Sequence, residues 1–448
     1  MSDQITAELS RQDDAFRQVR FHSGTAYAVL PRWRALLQST WPHGWSAVQP
    51  HALRAMDLIA DPRMLFVAAR TLMSRGPKAP GPNKLTLEVL SRDELWSLCH
   101  ALGSALRAGT YRPGAERMVK VPKASGRGFR SIVISNVEDR VVQKSAALVL
   151  SPVLDPLFDP LSFGFRPRRN REQALAVAEV FARQGYTHWV AHDLKDAFGR
   201  VPLNRLLDVF FHTIPCERLR DLLARILPPQ SPSLGGIKQG GPCSALALEV
   251  YLSHFLDRPW RRDGSNVRCI RYADDLLLVA QTRDDAVQAD HRLRQLATPA
   301  GMIVKASFTD AWTKLDTGDA EWLGFPIRLR NGEVQVHLGG RAVNKLGMRL
   351  QLAHTKSEPA RRSVQILRHW VAQLGPTFDW EDRRAVCHRA VELARSHGFQ
   401  EDLNVAELLR SWRAASRRWE GTRKRVQTNP AYLVSGVVTP PCPTAVIG

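Results

Sequence analysis

Residues 271–279 read RYADDLLLV, and this short stretch decides how the rest of the chain is interpreted. Two adjacent acids, Asp274 and Asp275, separate an apolar, β-prone run at 267–271 from a second run at 276–280. The pattern predicts a β-hairpin with both carboxylates at its tip, where a tight turn relaxes the alternation of side chains. Paired carboxylates at a sheet edge suit a hard divalent cation. An Asp-Asp pair taken alone is better explained as a solvated turn.

Composition narrows the class of protein. The chain has 448 residues, with 63 Lys plus Arg against 43 Asp plus Glu, a formal net charge of +20. This length allows two or three domains, and the charge favours a polyanionic partner, nucleic acid before an anionic membrane surface. No apolar run approaches the ~20 residues of a membrane span, and the polar start of the chain shows no secretory signal. The six cysteines form no CxxC pair, so we expect no zinc ribbon, no disulfide framework and a cytoplasmic location.

A third acid ends another predicted strand. Residues 188–198 read HWVAHDLKDAF, which predicts a strand with Asp193 at its C-terminal end and a helix from about Leu203. Functional groups often lie at the ends of buried strands. Asp196 has a plainer interpretation as the cap of the next segment.

A predicted hairpin is strongly basic. Residues 118–123 and 129–134 are strand-like and joined by a turn. The hairpin would present four basic side chains, those of Lys120, Lys123, Arg127 and Arg130. Because Arg binds phosphate through paired hydrogen bonds and Lys as a point charge, the hairpin is either a solvated basic face or a phosphate clamp.

Two loops complete the pattern. Residues 162–169 read SFGFRPRR, a mixture of rings and arginines that suits nucleic acid, with a plain surface loop as the alternative. Residues 233–242 read SLGGIKQGGP, which predicts a glycine-rich loop that opens a helix at 245–256 and lets backbone approach a ligand.

The chain divides into four predicted segments. Residues 1–90 form a helical N-terminal extension, and 91–337 mix helices with strands, including short strands at 322–325 and 334–337. Residues 338–425 form a basic helical region in which Trp412 and Trp419 are core residues and the nearby arginines meet phosphates. Residues 426–448 form a Pro-rich tail, expected to be poorly ordered.

Three acids on two strands meet a specific chemical need. Two metal ions about 3.5–4 Å apart activate an attacking hydroxyl and stabilise a leaving pyrophosphate in phosphoryl transfer. A basic hairpin would hold the incoming triphosphate, and a basic helical region would hold a duplex. This combination is typical of a nucleotide polymerase.

The order of the motifs adds a resemblance. The motifs are GTYRP at 109–113, VPK at 121–123, EDRVVQ at 138–143, SFGFRP at 162–167, DLKDAF at 193–198, QGGP at 239–242, YADD at 272–275 and LGF at 323–325. In this order they resemble bacterial reverse transcriptases of the group II intron-like lineage. The resemblance implies an α+β right-hand polymerase: a palm of antiparallel sheet plus helices, fingers (both within 91–337) and a helical thumb at 338–425.

The resemblance also implies site residues. It implies that Asp193, Asp274 and Asp275 bind two Mg²⁺ ions, with the Leu194 carbonyl as a further ligand. Mn²⁺ can replace Mg²⁺ at these positions. Lys123 and Arg130 match the positions that hold the triphosphate, Gln239 lies beside the nucleotide, and the Phe198 ring lies under its sugar and selects dNTPs. The expected primer and template contacts are Tyr272, Arg166, Arg168 and Arg169.

Departures from the family pattern bear on the biological role. Ser244-Ala245 replaces Ser-Pro, Pro82-Asn83 replaces Asp-Gly, and either Lys305 or Lys314 fills the position of an expected Lys-Thr. No Cys-bearing endonuclease module or separate DNA-binding domain is visible. These features favour a stand-alone enzyme of the retron, abortive-infection or antiphage-defence type, working with a dedicated non-coding RNA.

Three rival interpretations stay open. One is a group II intron maturase or mobility protein bound to intron RNA. Another is untemplated or protein-primed DNA synthesis, and the third is a basic structural protein, which leaves the motif series unexplained. The expected partners are RNA, the DNA product and dNTPs, but no membrane; a second copy of the chain or an accessory protein is left open.

Overall fold

The computed structural model describes residues 23–76, 78–122, 128–231, 235–262, 264, 266–355, 357–400, 404–429 and 432. The part of the N-terminal region that the structure describes, from residue 23, consists mainly of helices. Its helices are α1 (Ser23–Thr40), α2 (Trp45–Ala52), α3 (Ala55–Ile59), α4 (Pro62–Arg75) and α5 (Arg92–Ala108). Local sequence sets the bounds of α5, because Ser91 and Glu94 form a capping box at its start and Gly109, at φ 72°, ends it.

The basic hairpin consists of β1 (Glu116–Pro122) and β2 (Phe129–Ser135), paired antiparallel from Glu116 opposite Ser135 to Pro122 opposite Phe129. Lys120 and Arg130 are exposed, whereas residues 123–127, including Lys123 and Arg127, lie outside the described residues. The buried helix α6 (Val137–Leu154) follows, and Trp33 of α1 donates its indole N–H to the Val149 carbonyl at 3.0 Å.

The central sheet has the order β4-β5-β3-β6, with all pairs antiparallel. Its strands are β3 (His188–Asp193), β4 (Arg268–Tyr272), β5 (Asp275–Ala280) and β6 (Trp312–Lys314). Both faces are covered: Leu276 and Leu278 join a core shared with the N-terminal helices, while Leu277 and Val279 join a core shared with the C-terminal helices. The continuous apolar run at 276–280 reflects this burial on both faces.

Helices surround the sheet. They are α7 (Arg171–Arg183), α8 (Ala197–Arg200), α9 (Leu203–Thr213), α10 (Glu217–Ile226), α11 (Ser244–Leu252), α12 (Arg258–Arg262), α13 (Arg283–Ala297) and α14 (Phe308–Ala311). The helix predicted for 245–256 is shorter than expected, because a π-helical turn, Ser253–Asp257, follows α11.

A second sheet of three strands leads to the C-terminal helices. It contains β7 (Ala320–Trp322), β8 (Phe325–Arg330) and β9 (Glu333–Val336). The strand predicted at 322–325 is wrong: Leu323 and Gly324 have φ of 50° and 84° and form the turn between β7 and β8. The positive φ at both residues breaks the strand.

The C-terminal region contains α15 (Gly340–Ala353), α16 (Pro359–Val371), α17 (Arg383–Ser396) and α18 (Val405–Gln427). Trp412 and Trp419 are buried in its core, as predicted. Tyr432 is also buried, although the tail was expected to be poorly ordered; the rest of 430–448 lies outside the described residues. Antiparallel palm sheet, basic hairpin and helical thumb together form the predicted right-hand polymerase fold. Among the described residues, no helix combines the length and apolar character needed to cross a membrane.

Candidate active site

The hairpin of β4 and β5 brings the three acids together. Ala273 and Asp274 form its two-residue turn, and Asp275 is the first residue of β5. Asp193, the last residue of β3, lies directly opposite Asp275. Opposed residues of neighbouring antiparallel strands share one face of the sheet, with Cβ atoms roughly 5 Å apart. Two of the carboxylates therefore share a face, and Asp274 is at the tip beside them.

Backbone hydrogen bonds join the two segments that carry the acids. The Leu194 amide donates to the Asp274 carbonyl at 3.0 Å. On the other side of Leu194, Lys195 N donates to Ile303 O at 2.8 Å and Lys305 N donates to Asp193 O at 3.1 Å. In this antiparallel arrangement the amide and carbonyl of Leu194 both point away from residues 303–305, towards the hairpin. The Leu194 carbonyl is thus on the side of the acids.

Electrostatics at the acids reflect burial and crowded negative charge. Burial, followed by the charges of Asp274 and Asp193, raises the pKa of Asp275 to about 7. Burial and the charge of Asp193 also raise the pKa of Asp274. Arg130 and Lys305 oppose both shifts, which places their positive charges near the acids. Burial and repulsion between the carboxylates therefore both disfavour the ionised form of Asp274 and Asp275.

Lys305 is the lysine at this site. Its ammonium lies 2.6 Å from an Asp193 carboxylate oxygen. Lys314, the other candidate in the sequence, pairs with Asp316 and lies opposite His188, at the far end of β3 from Asp193. The sequence could not decide between the two lysines because the choice depends on how residues 303–305 pair with 193–195.

The donor set fits a hard divalent cation. Three carboxylates and a backbone carbonyl are oxygen ligands of the kind Mg²⁺ prefers. In the present side-chain conformations, no three Asp, Glu, His or Cys side chains of the described residues are placed close enough together to bind one metal ion. Asp193 is turned to Lys305 in this arrangement.

A buried ion network lies directly behind the turn formed by Ala273 and Asp274, which is called the acid turn below. The Arg271 guanidinium binds both carboxylate oxygens of Glu249 at 2.8 Å, and Asp257 through Nε at 2.8 Å and through Nη2. Burial lowers the pKa of Arg271, but the charges of Asp257 and Glu249 more than reverse this, so the residue stays charged. The motifs in the sequence do not predict this network. An available signal was the occurrence of Glu249 inside the otherwise apolar run LALEVYL.

The expected nucleotide contacts lie on elements that pack together. Phe198 in α8 meets the exposed ring of Phe165 edge to face, with centroids 6.1 Å apart. The backbone carbonyl of Phe198 accepts a hydrogen bond from the Ile237 amide at 2.9 Å, which fixes the glycine-rich loop against α8. The backbone carbonyl of Gln239 accepts a hydrogen bond from the Val133 amide of β2, also at 2.9 Å. The basic hairpin, the glycine loop and α8 therefore form one surface next to the acids. The roles of Phe198, Gln239 and Arg130 stay predictions.

The three arginines of the SFGFRPRR loop differ in whether their guanidinium groups already form bonds within the protein. Arg166 is buried and bonds to Asp155 and to the carbonyls of Asp155, Asp159 and Ser162, so its guanidinium supports the loop. Arg169 contacts the Phe163 and Tyr432 rings and donates to the Pro160 carbonyl and the Tyr432 hydroxyl. Arg168 is exposed, with φ of 60°. In this structure Arg168 is exposed while the guanidinium groups of Arg166 and Arg169 bond within the protein, and the contacts of all three with nucleic acid stay predictions.

Two remaining expectations concern Tyr272 and Asp196. Tyr272 is half-buried at the end of β4, opposite Asp275, and its contact with the primer end stays a prediction. Asp196 precedes α8 with φ of 51°, and its side chain makes no capping hydrogen bond. Its interpretation as a simple side-chain cap is therefore wrong.

Carboxylates from two strands of an antiparallel sheet, with a basic hairpin and C-terminal helices beside it, have the arrangement expected of a palm-type polymerase fold. Residues 121–327 match the family model described as reverse transcriptase (RNA-dependent DNA polymerase). Residues 121–327 are therefore similar to a reverse transcriptase domain, and proteins named as intron-encoded are among the relatives that share this region.

Three relatives illustrate the similarity. Protein YkfC of Escherichia coli K12 is 31% identical over 228 residues, 47% of this chain and 58% of the relative. The group II intron-encoded protein LtrA of Lactococcus lactis is 25% identical, over 46% of this chain and 35% of the relative. The putative COX1/OXI3 intron 2 protein of Saccharomyces cerevisiae is 29% identical, over 44% and 24%. The matches thus span from a quarter to less than two thirds of these relatives.

A chain of the partial Cas6-RT-Cas1–Cas2 complex also aligns with this protein. The identity is 22%, the TM-score is 0.29, and the match covers 55% of this chain and 41% of that one. The superposition is too weak to bear on function.

Proposed function

We propose that this protein is an RNA-directed DNA polymerase that joins dNTPs by two-metal nucleotidyl transfer. The observation that carries the proposal is the meeting of Asp193, Asp274 and Asp275 at one hairpin tip inside a reverse transcriptase domain. The raised pKa of Asp275 supports it, because a bound cation would offset both the burial of the carboxylates and their mutual repulsion.

The three carboxylates and the Leu194 carbonyl would hold Mg²⁺, or Mn²⁺ in its place. When bound, the two ions would supply Lewis-acid stabilisation of the attacking and leaving oxygens. Asp193 would exchange its contact with the Lys305 ammonium for one with metal, which leaves that ammonium free beside the reacting phosphates.

The remaining residues would bind and orient the substrates. Arg130 and Lys123 would hold the triphosphate of the incoming nucleotide, and Gln239 would lie beside it. Phe198 would pack under its sugar, Tyr272 would support the primer end, and Arg168 would contact the nucleic-acid backbone. The primer 3′-hydroxyl attacks the α-phosphate, a new P–O bond forms, and pyrophosphate leaves.

For the biological role, we propose synthesis in the cytoplasm on a dedicated non-coding RNA in antiphage defence. The departures from the intron-protein pattern at Ser244-Ala245 and Pro82-Asn83 support this assignment. A role in intron splicing or mobility is the second candidate, because two of the relatives are named as intron proteins. Untemplated or protein-primed synthesis is a third, since metal ligands do not determine the template.

The decisive test combines a double variant with the identity of the bound nucleic acid. Asp274→Ala with Asp275→Ala should abolish dNTP incorporation by the purified protein and retain RNA binding, since the acids contact metal. The adjacent pair Asp284 and Asp285, in the first turn of α13, supplies a matched control: its double Ala variant should keep activity. Full synthesis by the first variant would refute the site.

Sequencing the nucleic acid that copurifies from the native host, before and after dNTPs and Mg²⁺, separates the three roles. A single structured RNA extended into complementary DNA supports a dedicated non-coding template. Intron RNA supports splicing and mobility. DNA without an RNA complement supports untemplated synthesis.

A further inference from the structure

The Arg271 side chain is 1% exposed and immediately precedes the acid turn. Besides its bonds to Glu249 and Asp257, its Nη1 donates to the carbonyl of Ala273 at 3.2 Å. That carbonyl belongs to the peptide bond that leads into Asp274. The guanidinium therefore holds the turn itself as well as its own strand.

The carboxylates that hold Arg271 come from elements behind the hairpin. Glu249 lies in α11 and Asp257 ends the π-helical turn after it. The Ser162 hydroxyl donates to the Glu249 carboxylate, which adds the SFGFRPRR loop to the network. A guanidinium that binds two carboxylates and a carbonyl at fixed angles has one arrangement, because its donors form a rigid planar fork.

Backbone contacts fix the same turn from its edge. Arg271 N donates to Leu161 O at 2.9 Å, and Phe163 N donates to Arg271 O at 2.8 Å. A Cβ on Gly164 would collide with the backbone of Ala273, so only glycine fits there. Ala273 has φ of 58°, a conformation that is unfavourable for a non-glycine residue and persists only where its surroundings enforce it.

Stability alone does not account for this network. Well-packed apolar residues of similar volume often replace a buried ion pair with no loss of stability. What apolar residues cannot supply is a directional bond to the Ala273 carbonyl. A misplacement of about 1 Å at a reacting group can lower a rate on the order of 100-fold, so a fixed turn has a functional value.

We propose that Arg271 is a positioning residue that fixes the acid turn in the conformation that binds metal. It acts through the Ala273 carbonyl and touches neither substrate nor metal. Both readouts rest on the metal site of the proposed function, but the metal-binding readout does not require the protein to polymerise nucleotides.

Arg271→Lys tests the proposal in the full-length protein. Lysine keeps the buried positive charge but cannot bind two carboxylates and the carbonyl together. Mn²⁺ affinity of the free protein, measured by electron paramagnetic resonance, should fall roughly 10–100-fold, as for other residues that orient metal ligands. The rate of nucleotide addition at saturating dNTP should fall with it and recover partly at high Mn²⁺, with little change in KM for dNTP.

Glu179→Gln is the matched control. Glu179 is also a buried carboxylate, paired with Arg423 at 2.5 Å and Arg183 at 2.7 Å between α18 and α7, away from the acid turn. The Glu179→Gln substitution should lower the melting temperature of the protein and leave its Mn²⁺ affinity unchanged. If Arg271→Lys does not fold, Ser162→Ala and Glu249→Gln weaken the same network and should lower Mn²⁺ affinity in the same direction.

The outcomes separate the two proposals. Unchanged Mn²⁺ affinity in the network variants would overturn the positioning role, as would an equal loss in Glu179→Gln. A wild-type protein that binds Mn²⁺ more tightly than Arg271→Lys but incorporates no dNTP on any template would refute the polymerase and support the positioning role.

Discussion

The Phe198 ring gives the most direct prediction at the scale of a single residue. It lies in α8 with its edge against Phe165, on the surface shared by the glycine loop and the basic hairpin. A ring under the sugar clashes with a 2′-hydroxyl, so Phe198→Ala should reduce discrimination against rNTPs by roughly tenfold or more, in line with selectivity from pocket shape. Single-nucleotide incorporation of each dNTP and its rNTP partner measures the ratio.

The control is Phe211→Ala, which removes a half-buried ring on α9 that stacks with Arg220. It should leave the ratio of dNTP to rNTP incorporation unchanged. Equal discrimination in the Phe198 variant and the wild type would remove the sugar-contacting role and assign selectivity to another residue.

Single residues also show how far the sequence can be read. Asp274 and Asp275 could be predicted as a hairpin tip, because the flanking apolar runs are local in the chain. The state of Arg166 and Arg169 could not, because a guanidinium bound to Asp155 or to Tyr432 looks the same in sequence as one free for phosphate. Arg271 was missed for the same reason: its partners are 14 and 22 residues away.

At the scale of elements, the π-helical turn after α11 gives a pH-dependent prediction. It carries His254, whose pKa falls to about 4 through burial and then through the charges of Arg258, Arg262, His212 and Arg205. Because the folded pKa is below the ordinary value near 6.5, the unfolded chain binds the proton first as the pH falls. Stability should therefore be full above pH 6.5 and decline towards pH 4.

Thermal melting from pH 7 to pH 5 tests this contribution. The wild type should lose on the order of 1 kcal/mol more stability than His254→Gln over this range. His369→Gln, at an exposed position of α16, should behave like the wild type. A parallel decline in wild type and His254→Gln would show that His254 does not set the acid sensitivity.

Elements whose bounds depend on local chemistry were predicted closely. The basic hairpin, for example, differs from its predicted bounds by about two residues at its start. The π-helical turn and the turn at Leu323-Gly324 were missed, because each depends on packing that a short window of sequence does not contain. Tyr432 is similar: its burial against Phe163 and Arg169 is a contact across more than 260 residues.

At the scale of the whole molecule, the central sheet lies between two cores. One comes from the N-terminal helices and the other from the thumb helices, so both ends of the chain support the acid hairpin. Arg423 of α18 pairs with Glu179 of α7, and Arg169 binds Tyr432, which fastens the thumb to the loop behind the turn. Much of the basic charge near this junction thus serves the fold.

The net charge of +20 still leaves an excess for nucleic acid, and salt dependence measures how much of it is used. Affinity for a primer–template duplex should fall steeply with salt, because each phosphate contacted releases counterions. Arg168→Gln should reduce the slope of log affinity against log salt by about one, since its exposed guanidinium would contact one phosphate. Arg169→Gln should lower the melting temperature and leave the slope unchanged, because that guanidinium lies between the Phe163 and Tyr432 rings. The reverse result, with the slope reduced only in the Arg169 variant, would show that the loop opens on binding and exposes Arg169 to the nucleic acid.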